Sequence, residues 1–304
     1  MSPPPFMSPP PFKDLGKSAK DLFSKGFAHG FMKLDVTTDA SPNVQFKSSA
    51  THDLTAQTLA GNVEVKYKIL EHGITITEKW NTNNQLTTVF EVKDKVLRGL
   101  KLSVDTSYFP QNGKRVGVAN ADWYNESVHV NSSLTLFDGP VFTASAVAQI
   151  PRDWPTAGWL AGGQAKIDFS TGELKTTSFA LGRKMADWTL HSFIVDGKQF
   201  GGSVHHRVHK NLEYGVMLGW KSGDADAQWG IASKYTVNPE LSVRAKLDNK
   251  SQVSVSATHS LSDALKLTLS SHFGLTNFPD AVSKIGLGLE YCPSPCCNGI
   301  SVIG

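Results

Sequence analysis

Residues 63–81 alternate between apolar and polar side chains in two runs separated by a turn at His72–Gly73. In the first run the apolar positions are Val63, Val65, Tyr67 and Ile69, and the polar positions are Glu64, Lys66 and Lys68. In the second run the apolar positions are Ile74, Ile76 and Trp80, and the polar positions are Thr75, Thr77 and Lys79. Because successive side chains of a strand point to opposite faces, the stretch is predicted to be a β-hairpin with one apolar and one polar surface.

The same alternation recurs from Phe31 to Cys292, with turn residues between the runs. The runs at residues 212–220, 241–247 and 265–269 are the clearest. We count about nineteen such units of roughly 14 residues each, which fits the strand length of membrane barrels. The boundaries are poor around residues 114–126 and 150–158, and the second of these stretches is interpreted as an inserted loop.

Two architectures fit repeated strands with one apolar face. A soluble sandwich would pack the apolar faces together, whereas a membrane barrel would turn them outward and enclose a polar lumen. So many consecutive hairpins without helices exceed an ordinary sandwich, and closure removes the exposed edges. The predicted fold class is therefore all-β: a transmembrane β-barrel of about 19 strands over residues 31–292, with an N-terminal amphipathic helix.

The N-terminus carries two further segments before the strands. Residues 1–12 are a duplicated, proline-rich MSPPPF leader, which cannot form the interior of a helix or sheet. Residues 13–26 are predicted to form a helix, with Gly26 near its C-terminal end. Its apolar stripe consists of Leu15, Ala19, Leu22 and Phe23, and its polar side includes Lys17, Lys20 and Lys25. Residues 293–304 are interpreted as a C-terminal tail.

Composition narrows the class of protein without deciding it. The chain has 304 residues, a formal net charge of +3 and three cysteines, all within the last 13 residues. A body without cysteine argues against a disulfide-stapled secreted domain. The net charge is too small to indicate a partner, so the placement of the lysines matters more than their number.

Other chemistry is weakly indicated. His205, His206 and His209 have the spacing of a metal site, but neighbouring strand residues point to opposite faces, so no metal site is predicted. Gly99–Leu100–Lys101 can be interpreted as a nucleotide motif, but Lys101 alternates to the polar face, so a lysine that lines the lumen explains it better. No nucleophile has partners at motif spacing, so no catalytic residue is assigned and no enzyme is expected.

Glu78 interrupts the apolar face of the opening hairpin. It shares the parity of Ile76 and Trp80, so in a barrel it would point toward lipid, where a lone charge is costly. A local bulge, or a position near the headgroups, would explain it without a function. The alternative is that the carboxylate is kept to respond to pH, to bind a cation or to contact a partner.

Several motifs in order resemble the mitochondrial voltage-dependent anion channels, the eukaryotic porins. They are DLGKSAKDLFSKGF at 14–27, TEKWNT at 77–82, RGLKL at 98–102, GWLAG at 158–162, FGGSV at 200–204, KYTVNP and AKLDN within 234–249, and KIGLGLEY at 284–291. Eukaryotic porins are also the known example of a 19-stranded barrel, so the strand count and the resemblance are not independent.

The resemblance implies a pore in the mitochondrial outer membrane that passes ions and metabolites such as ATP and ADP, prefers anions and holds its N-terminal helix inside. A pore of this kind is expected to require no cofactor. The resemblance also assigns nucleotide contact to Lys17 and Lys25. The positions that match an NAD or NADH site are Gln252, Val253, Ser254, Ser270, Ser271, His272, Phe273 and Gly274.

Three further assignments complete the prediction. The pore-lining charges are Lys20, Lys66, Lys68, Lys101, Arg244, Lys246 and Lys266. The signal for insertion into the outer membrane matches Lys284, Gly286, Leu289 and Tyr291. Glu78 is a lipid-facing regulatory position, which in this family is linked to docking of a hexokinase-type partner and to self-association into a homo-oligomer.

Two other functions stay open at this point. One is a protein-import pore of the same barrel superfamily, which would be expected to lack the short, lysine-bearing pore helix. The other is a soluble lipid-binding β-protein, which would not depend on detergent. No nucleic acid partner is expected.

Overall fold

The computed structural model describes residues 8–137, 139–150, 158–275 and 284–293. The predicted leader therefore lies mostly outside the described residues. So do the predicted C-terminal tail, except its first residue, and most of the predicted loop at 150–158.

The N-terminal helix is shorter than predicted and is preceded by a separate turn. Helix α1 spans Lys17–Ser24, and a 3-10 turn spans Phe12–Asp14. Gly16 separates them with a φ of 74°, a left-handed conformation that suits glycine and interrupts the helical hydrogen bonds. The helix ends at Ser24, and Lys25, whose backbone is extended, takes the capping position that was predicted for Gly26. Gly26 follows with a φ of 80°. In the described ranges, no helix is both long enough and apolar enough to cross a membrane.

Nineteen strands follow. Their bounds are β1 (Phe31–Ser41), β2 (Val44–Asp53), β3 (Thr58–Ile69), β4 (Ile74–Asn81), β5 (Leu86–Lys93), β6 (Leu100–Phe109), β7 (Lys114–Tyr124), β8 (Val128–Thr135), β9 (Val141–Gln149), β10 (Trp159–Asp168), β11 (Glu173–Lys184), β12 (Trp188–Val195), β13 (Gln199–His209), β14 (Leu212–Lys221), β15 (Gln228–Thr236), β16 (Leu241–Asp248), β17 (Gln252–Ser260), β18 (Leu265–Gly274) and β19 (Lys284–Tyr291).

The strands form one closed sheet. Each strand pairs antiparallel with the next, and β1 pairs in parallel with β19 through contacts such as Leu34 with Leu289. An odd number of alternating strands leaves the first and last pointing the same way, so parallel closure follows from the count. This confirms the predicted barrel of about 19 strands, and it excludes the sandwich because the strands of the described residues all belong to this one sheet.

The hairpin of β3 and β4 has the two predicted faces. A 3-10 turn at Leu70–His72 and Gly73, with a φ of 60°, connects the strands. Val63 pairs with Trp80 on one face, and Glu64 pairs with Lys79 on the other. Val63 and Trp80 are 51% and 61% exposed, as expected of side chains on the outside of a barrel.

Candidate functional site

The segment 9–30, here called the N-terminal strap, lies along the inner wall of the barrel. Its first contact is with β8, and its last contacts are with β18 and β19, where the main-chain nitrogen of Ala28 donates to Ser270 Oγ at 3.1 Å. Helix α1 packs on β13, β14 and β15 between these ends. The wall positions it meets share the parity of the strand lysines, which identifies the polar face as the lumen.

Glycines in the wall make room for the apolar side of the strap. A β-carbon at Gly162 would lie 2.9 Å from Phe12, one at Gly215 3.1 Å from Leu22, and one at Gly230 2.9 Å from Phe23. These distances are too short for a β-carbon at Gly162 and Gly230 and tight for one at Gly215, so the strap occupies the space that the glycines leave. Within α1, Ala19 and Leu22 are only 2% and 3% exposed.

The helix lysines face the water of the lumen. Lys17, Lys20 and Lys25 are all exposed. Lys17 Nζ lies 3.6 Å from Asp14, and Lys25 Nζ lies 2.7 Å from Asp21. Lys20 has no carboxylate partner in the part of the chain that the structure describes, so it contributes positive charge that no ion pair offsets.

Two predicted pore-lining residues hold the C-terminal end of the helix. Lys246 Nζ donates to the carbonyl oxygen of Phe23 at 3.0 Å and lies 4.4 Å from the ring centroid of Phe27. Arg244 Nη1 donates to the carbonyl oxygen of Lys25 at 3.1 Å. Cations at a helix C-terminus satisfy its free carbonyls and interact well with its dipole. The sequence pattern placed both side chains on the polar face but did not reveal this role.

The other predicted pore-lining lysines also lie on the inner face. Lys66 and Lys68 pair in register with Thr77 and Thr75 on β4, and Lys266 pairs with Glu290 on β19. Lys101 Nζ lies 2.9 Å from the carboxylate of Glu91. Further inward ion pairs join lysine or arginine to an acid, so part of the positive charge of the wall is offset: Lys33–Asp35, Lys79–Glu64 and Arg207–Glu213.

A cavity of about 620 Å³ opens beside the C-terminal end of α1. Its basic lining residues are Lys246, Lys250 and Lys284, joined by the histidines His29 and His272. The lining also includes one carboxylate, that of Asp248, so the basic side chains outnumber the acidic ones and the cavity favours an anion.

The predicted NAD positions are divided between the two faces of the β17–β18 hairpin. Gln252, Ser254 and His272 line the cavity, and Ser254 Oγ lies 2.9 Å from His272 Nδ1. Ser270 is buried, and its Oγ already accepts a hydrogen bond from the main-chain nitrogen of Ala28 and donates one to the carbonyl oxygen of Gly286. Gly274 pairs with Gln252, while Val253, Ser271 and Phe273 have the outward parity. The eight positions therefore do not form one site.

His29 contributes a neutral ring to this cavity. Burial, with smaller contributions from Lys246 and His272, lowers the pKa of His29 from 6.5 to about 4. Both of its ring nitrogens are buried and have no hydrogen-bond partner among the described residues.

The histidines with metal-like spacing point apart. His205 faces inward, with Nε2 3.4 Å from Glu213, whereas the ring of His206 faces outward and stacks on Trp188 at 3.7 Å. In the ranges that the structure covers, no three metal-ligating side chains come together.

Comparison with known proteins decides the family. The family model described as eukaryotic porin matches residues 8–286. The chain belongs to the eukaryotic porin family. It is 48% identical over 290 residues to a probable voltage-dependent anion-selective channel of Caenorhabditis elegans, covering 95% of this chain and 100% of that protein. It is 39% identical to the voltage-dependent anion-selective channel of Drosophila melanogaster, covering 93% and 99%.

A third relative carries a different description. The non-selective voltage-gated ion channel VDAC2 of Xenopus laevis is 39% identical over 283 residues, covering 93% of this chain and 98% of that one. Among solved structures, a mutant of Rh. blastica porin matches 86% of this chain and 97% of its own at 11% identity, with a TM-score of 0.45. That likeness is too distant to carry an argument. The family is one of membrane pores rather than enzymes.

Glu78 lies on the outer face of this porin, as its parity predicts. It pairs in register with Val65 and Thr88, and it is exposed. Thr88 pairs in turn with Thr106, and Thr106 with Gly117, so a row of small or polar residues leads away from the carboxylate across four strands. No bulge turns Glu78 inward.

The predicted insertion signal of this porin is the closing strand itself. Lys284, Gly286, Leu289 and Tyr291 all belong to β19, which pairs with β18 and closes the barrel on β1. A β-carbon at Gly286 would collide with the main chain of Ala28, so glycine also makes room for the strap there.

Two arginines on the outer face of this porin were missed by the sequence reasoning. Arg183 lies 5.5 Å from the ring centroid of Trp159, and Arg115 lies 5.9 Å from that of Tyr108. Each is one residue from the end of its strand, and the two ends are at opposite rims. Aromatic and basic side chains at both rims are typical of the membrane–water boundaries.

Proposed function

We propose that this porin is a voltage-gated, anion-preferring diffusion channel of the mitochondrial outer membrane, passing ions and metabolites such as ATP and ADP. The observation that carries the proposal is positive charge on the lumen side without a carboxylate partner among the described residues, on Lys20 of the strap and on Lys66 and Lys68 of the wall. Fixed positive charge in a wet pore raises the local concentration of anions.

The names of the relatives support a voltage-dependent channel but differ on selectivity. The worm and fly proteins are called anion-selective, and the frog protein is called non-selective. The inward ion pairs described above reduce the net charge of the lumen, so we expect a moderate rather than a strict preference.

The deciding experiment is conductance of the full-length protein in a planar bilayer across a salt gradient. A reversal potential on the anion side, decreasing as salt concentration rises and screening increases, is the expected result. A reversal potential of zero or on the cation side would overturn the anion preference. Closure on stepping the voltage in either direction tests the gating separately.

We also propose that the cavity beside α1 takes the phosphate groups of nucleotides, with Lys17 and Lys25 as further contacts along the pore. Its three lysines outnumber its one carboxylate, Asp248, which supports an anionic ligand. Titration of the reconstituted channel with ATP, ADP and NADH, followed by chemical-shift changes at His29 and His272, tests this. Shifts of equal size with inorganic phosphate alone would remove the specificity for nucleotides.

The mitochondrial location and the partners are proposals of the same kind. The protein is expected in the outer-membrane fraction of mitochondria. A fluorescent fusion and a protease-protection assay test this location. A hexokinase-type partner and a second copy of the chain are proposed to meet the outer face near Glu78. Block of the ion conductance by presequence peptides would favour the protein-import pore instead.

A further inference from the structure

His129 holds the start of the N-terminal strap. It is the second residue of β8, faces inward and is 8% exposed. Its Nδ1 lies 2.8 Å from the carbonyl oxygen of Pro9, and its Nε2 lies 2.6 Å from Asp122 Oδ1 on β7. The imidazole therefore joins a wall carboxylate to the main chain of the strap.

Both partners of this ring can only accept. A carbonyl oxygen has no hydrogen to donate, and neither has an ionised carboxylate. A neutral imidazole carries one N–H and can serve only one of the two. Both hydrogen bonds are made together when the ring holds a proton on each nitrogen, with its positive charge facing Asp122.

The surroundings of the ring contain few other charges. Asp122 pairs in register with Lys101, whose Nζ is engaged by Glu91 at 2.9 Å. On the other side, β9 presents the apolar Val147. The ring of Tyr124, which is next to Asp122 along β7 on the same face, lies 5.8 Å away.

The strap itself brings two charged groups near this end. Asp14 pairs with Lys17 at 3.6 Å, and the side chain of Lys13 is exposed. Among the hydrogen bonds of the described residues, the bond to His129 is the one that ties the strap to the wall before Phe12. Loss of that bond would free the start of the strap while Phe12 and α1 stay in place.

We propose that His129 and Asp122 form a proton-dependent latch that positions the start of the N-terminal strap against the inner wall. When the ring loses a proton, one ring nitrogen keeps its N–H and the other presents a lone pair. The lone pair then faces either the carboxylate, from Nε2, or the Pro9 carbonyl, from Nδ1. The stronger bond, to the carboxylate, is retained, and Pro9 is released. The latch is thus closed while the ring carries a proton on each nitrogen, and it opens when a rise in pH removes one of them. His129 is a positioning residue for the strap, and this role is independent of which solute the pore prefers.

The test follows the mobility of the strap directly. Ser8→Cys is introduced after Cys292, Cys296 and Cys297 are changed to serine, and a nitroxide is attached to the full-length protein in lipid vesicles. Electron paramagnetic resonance then gives the ratio of mobile to immobile label between pH 5 and pH 9. We expect this ratio to rise roughly tenfold, the effect of one charge-assisted hydrogen bond.

Three variants separate the latch from a general pH effect. His129→Leu should leave the label mobile at every pH. Asp122→Asn should leave it immobile at every pH, because a neutral ring can donate from Nδ1 to Pro9 and accept at Nε2 from the amide. His191→Gln, which alters another wall histidine beside the strap at Gly16, should keep the wild-type profile.

The outcomes are distinct. A wild-type ratio that does not change with pH overturns the proposal. So does an Asp122→Asn protein that follows the wild-type profile, and this variant retains its meaning even when His129→Leu folds poorly. The label does not report conduction, so a failure here leaves the proposed channel function untouched, and the reverse also holds.

Discussion

Lys246 Nζ on β16 donates a hydrogen bond of 3.0 Å to the carbonyl oxygen of Phe23, 223 residues away in the chain. We predict that Lys246→Met, which removes this donor and its charge, lowers the free energy of unfolding by about 1–2 kcal/mol. Denaturant unfolding in detergent micelles measures the change. Lys266→Met is the control, because Lys266 lies on the same wall, opposite Glu290, and no hydrogen bond or ion pair among the described residues joins it to the strap. Equal losses in both variants would mean that apolar packing alone holds the helix.

Gly230 and Gly219 provide a matched pair in the wall. Both face inward, but a β-carbon at Gly230 would lie 2.9 Å from Phe23, whereas one at Gly219 would meet nothing within 4 Å. We predict that Gly230→Ala destabilises the protein by about 1–3 kcal/mol through overpacking. Gly219→Ala should be neutral or stabilising by up to about 1 kcal/mol. Thermal midpoints of the two variants check this, and a reversed order would remove the packing argument.

The faces of the strands could be predicted because the side-chain period of a strand is two. Once the face of one residue in a run was known, the faces of Lys66, Lys68 and Glu78 followed without any knowledge of distant contacts. The number of strands and the closure followed from repetition of the same pattern. Local sequence was sufficient for the face of each side chain, which is decided within about ten residues, whereas the strand count also drew on the family resemblance.

The contacts of the strap could not be predicted in this way. Arg244 caps the helix and Gly230 faces Phe23 because the strap crosses the inner wall from β8 to β18. No local pattern encodes that path. The division of the predicted NAD positions between the two faces has a related cause, and NAD binding itself stays a prediction. A family resemblance transfers positions, but Val253 and Phe273 alternate to the outer face and cannot line a lumenal site.

The charge of the strap should set part of the selectivity. We predict that changing both Lys17 and Lys25 to Glu reduces the anion preference and moves the reversal potential toward zero, because the lumen loses four units of positive charge. Lys95→Glu with Lys198→Glu is the charge-matched control, since both lysines lie in turns outside the strands. An unchanged reversal potential in the helix variant would contradict the placement of the strap in the conducting path.

His29 should make the other end of the strap sensitive to acid. Its pKa is lowered by burial from 6.5 to about 4, so the unfolded chain takes up a proton that the folded protein resists. The stability from this site is present above about pH 6.5 and is lost as pH falls toward about 4. His29→Gln should therefore flatten the pH dependence of unfolding in this window, with His52→Gln as the control. Identical slopes in wild type and His29→Gln would disprove the assignment.

Glu78 and Glu64 lie on opposite faces of the same hairpin. Glu78 is on the outer face, and Glu64 is on the face that lines the lumen. Glu64 pairs with Lys79 at 3.1 Å on the inner face, while Glu78 points outward between Val65 and Thr88. We predict that Glu78→Gln leaves open-channel conductance unchanged and stabilises the barrel in bilayers, because a charge is removed from hydrocarbon. It should also weaken pH-dependent dimerisation, measured by crosslinking in vesicles. Glu64→Gln should instead increase the anion preference and leave dimerisation intact, because it frees Lys79 in the lumen. A sharp fall in conductance of the Glu78→Gln protein, with dimerisation untouched, would place Glu78 in the pore and reverse the assignment of the two faces.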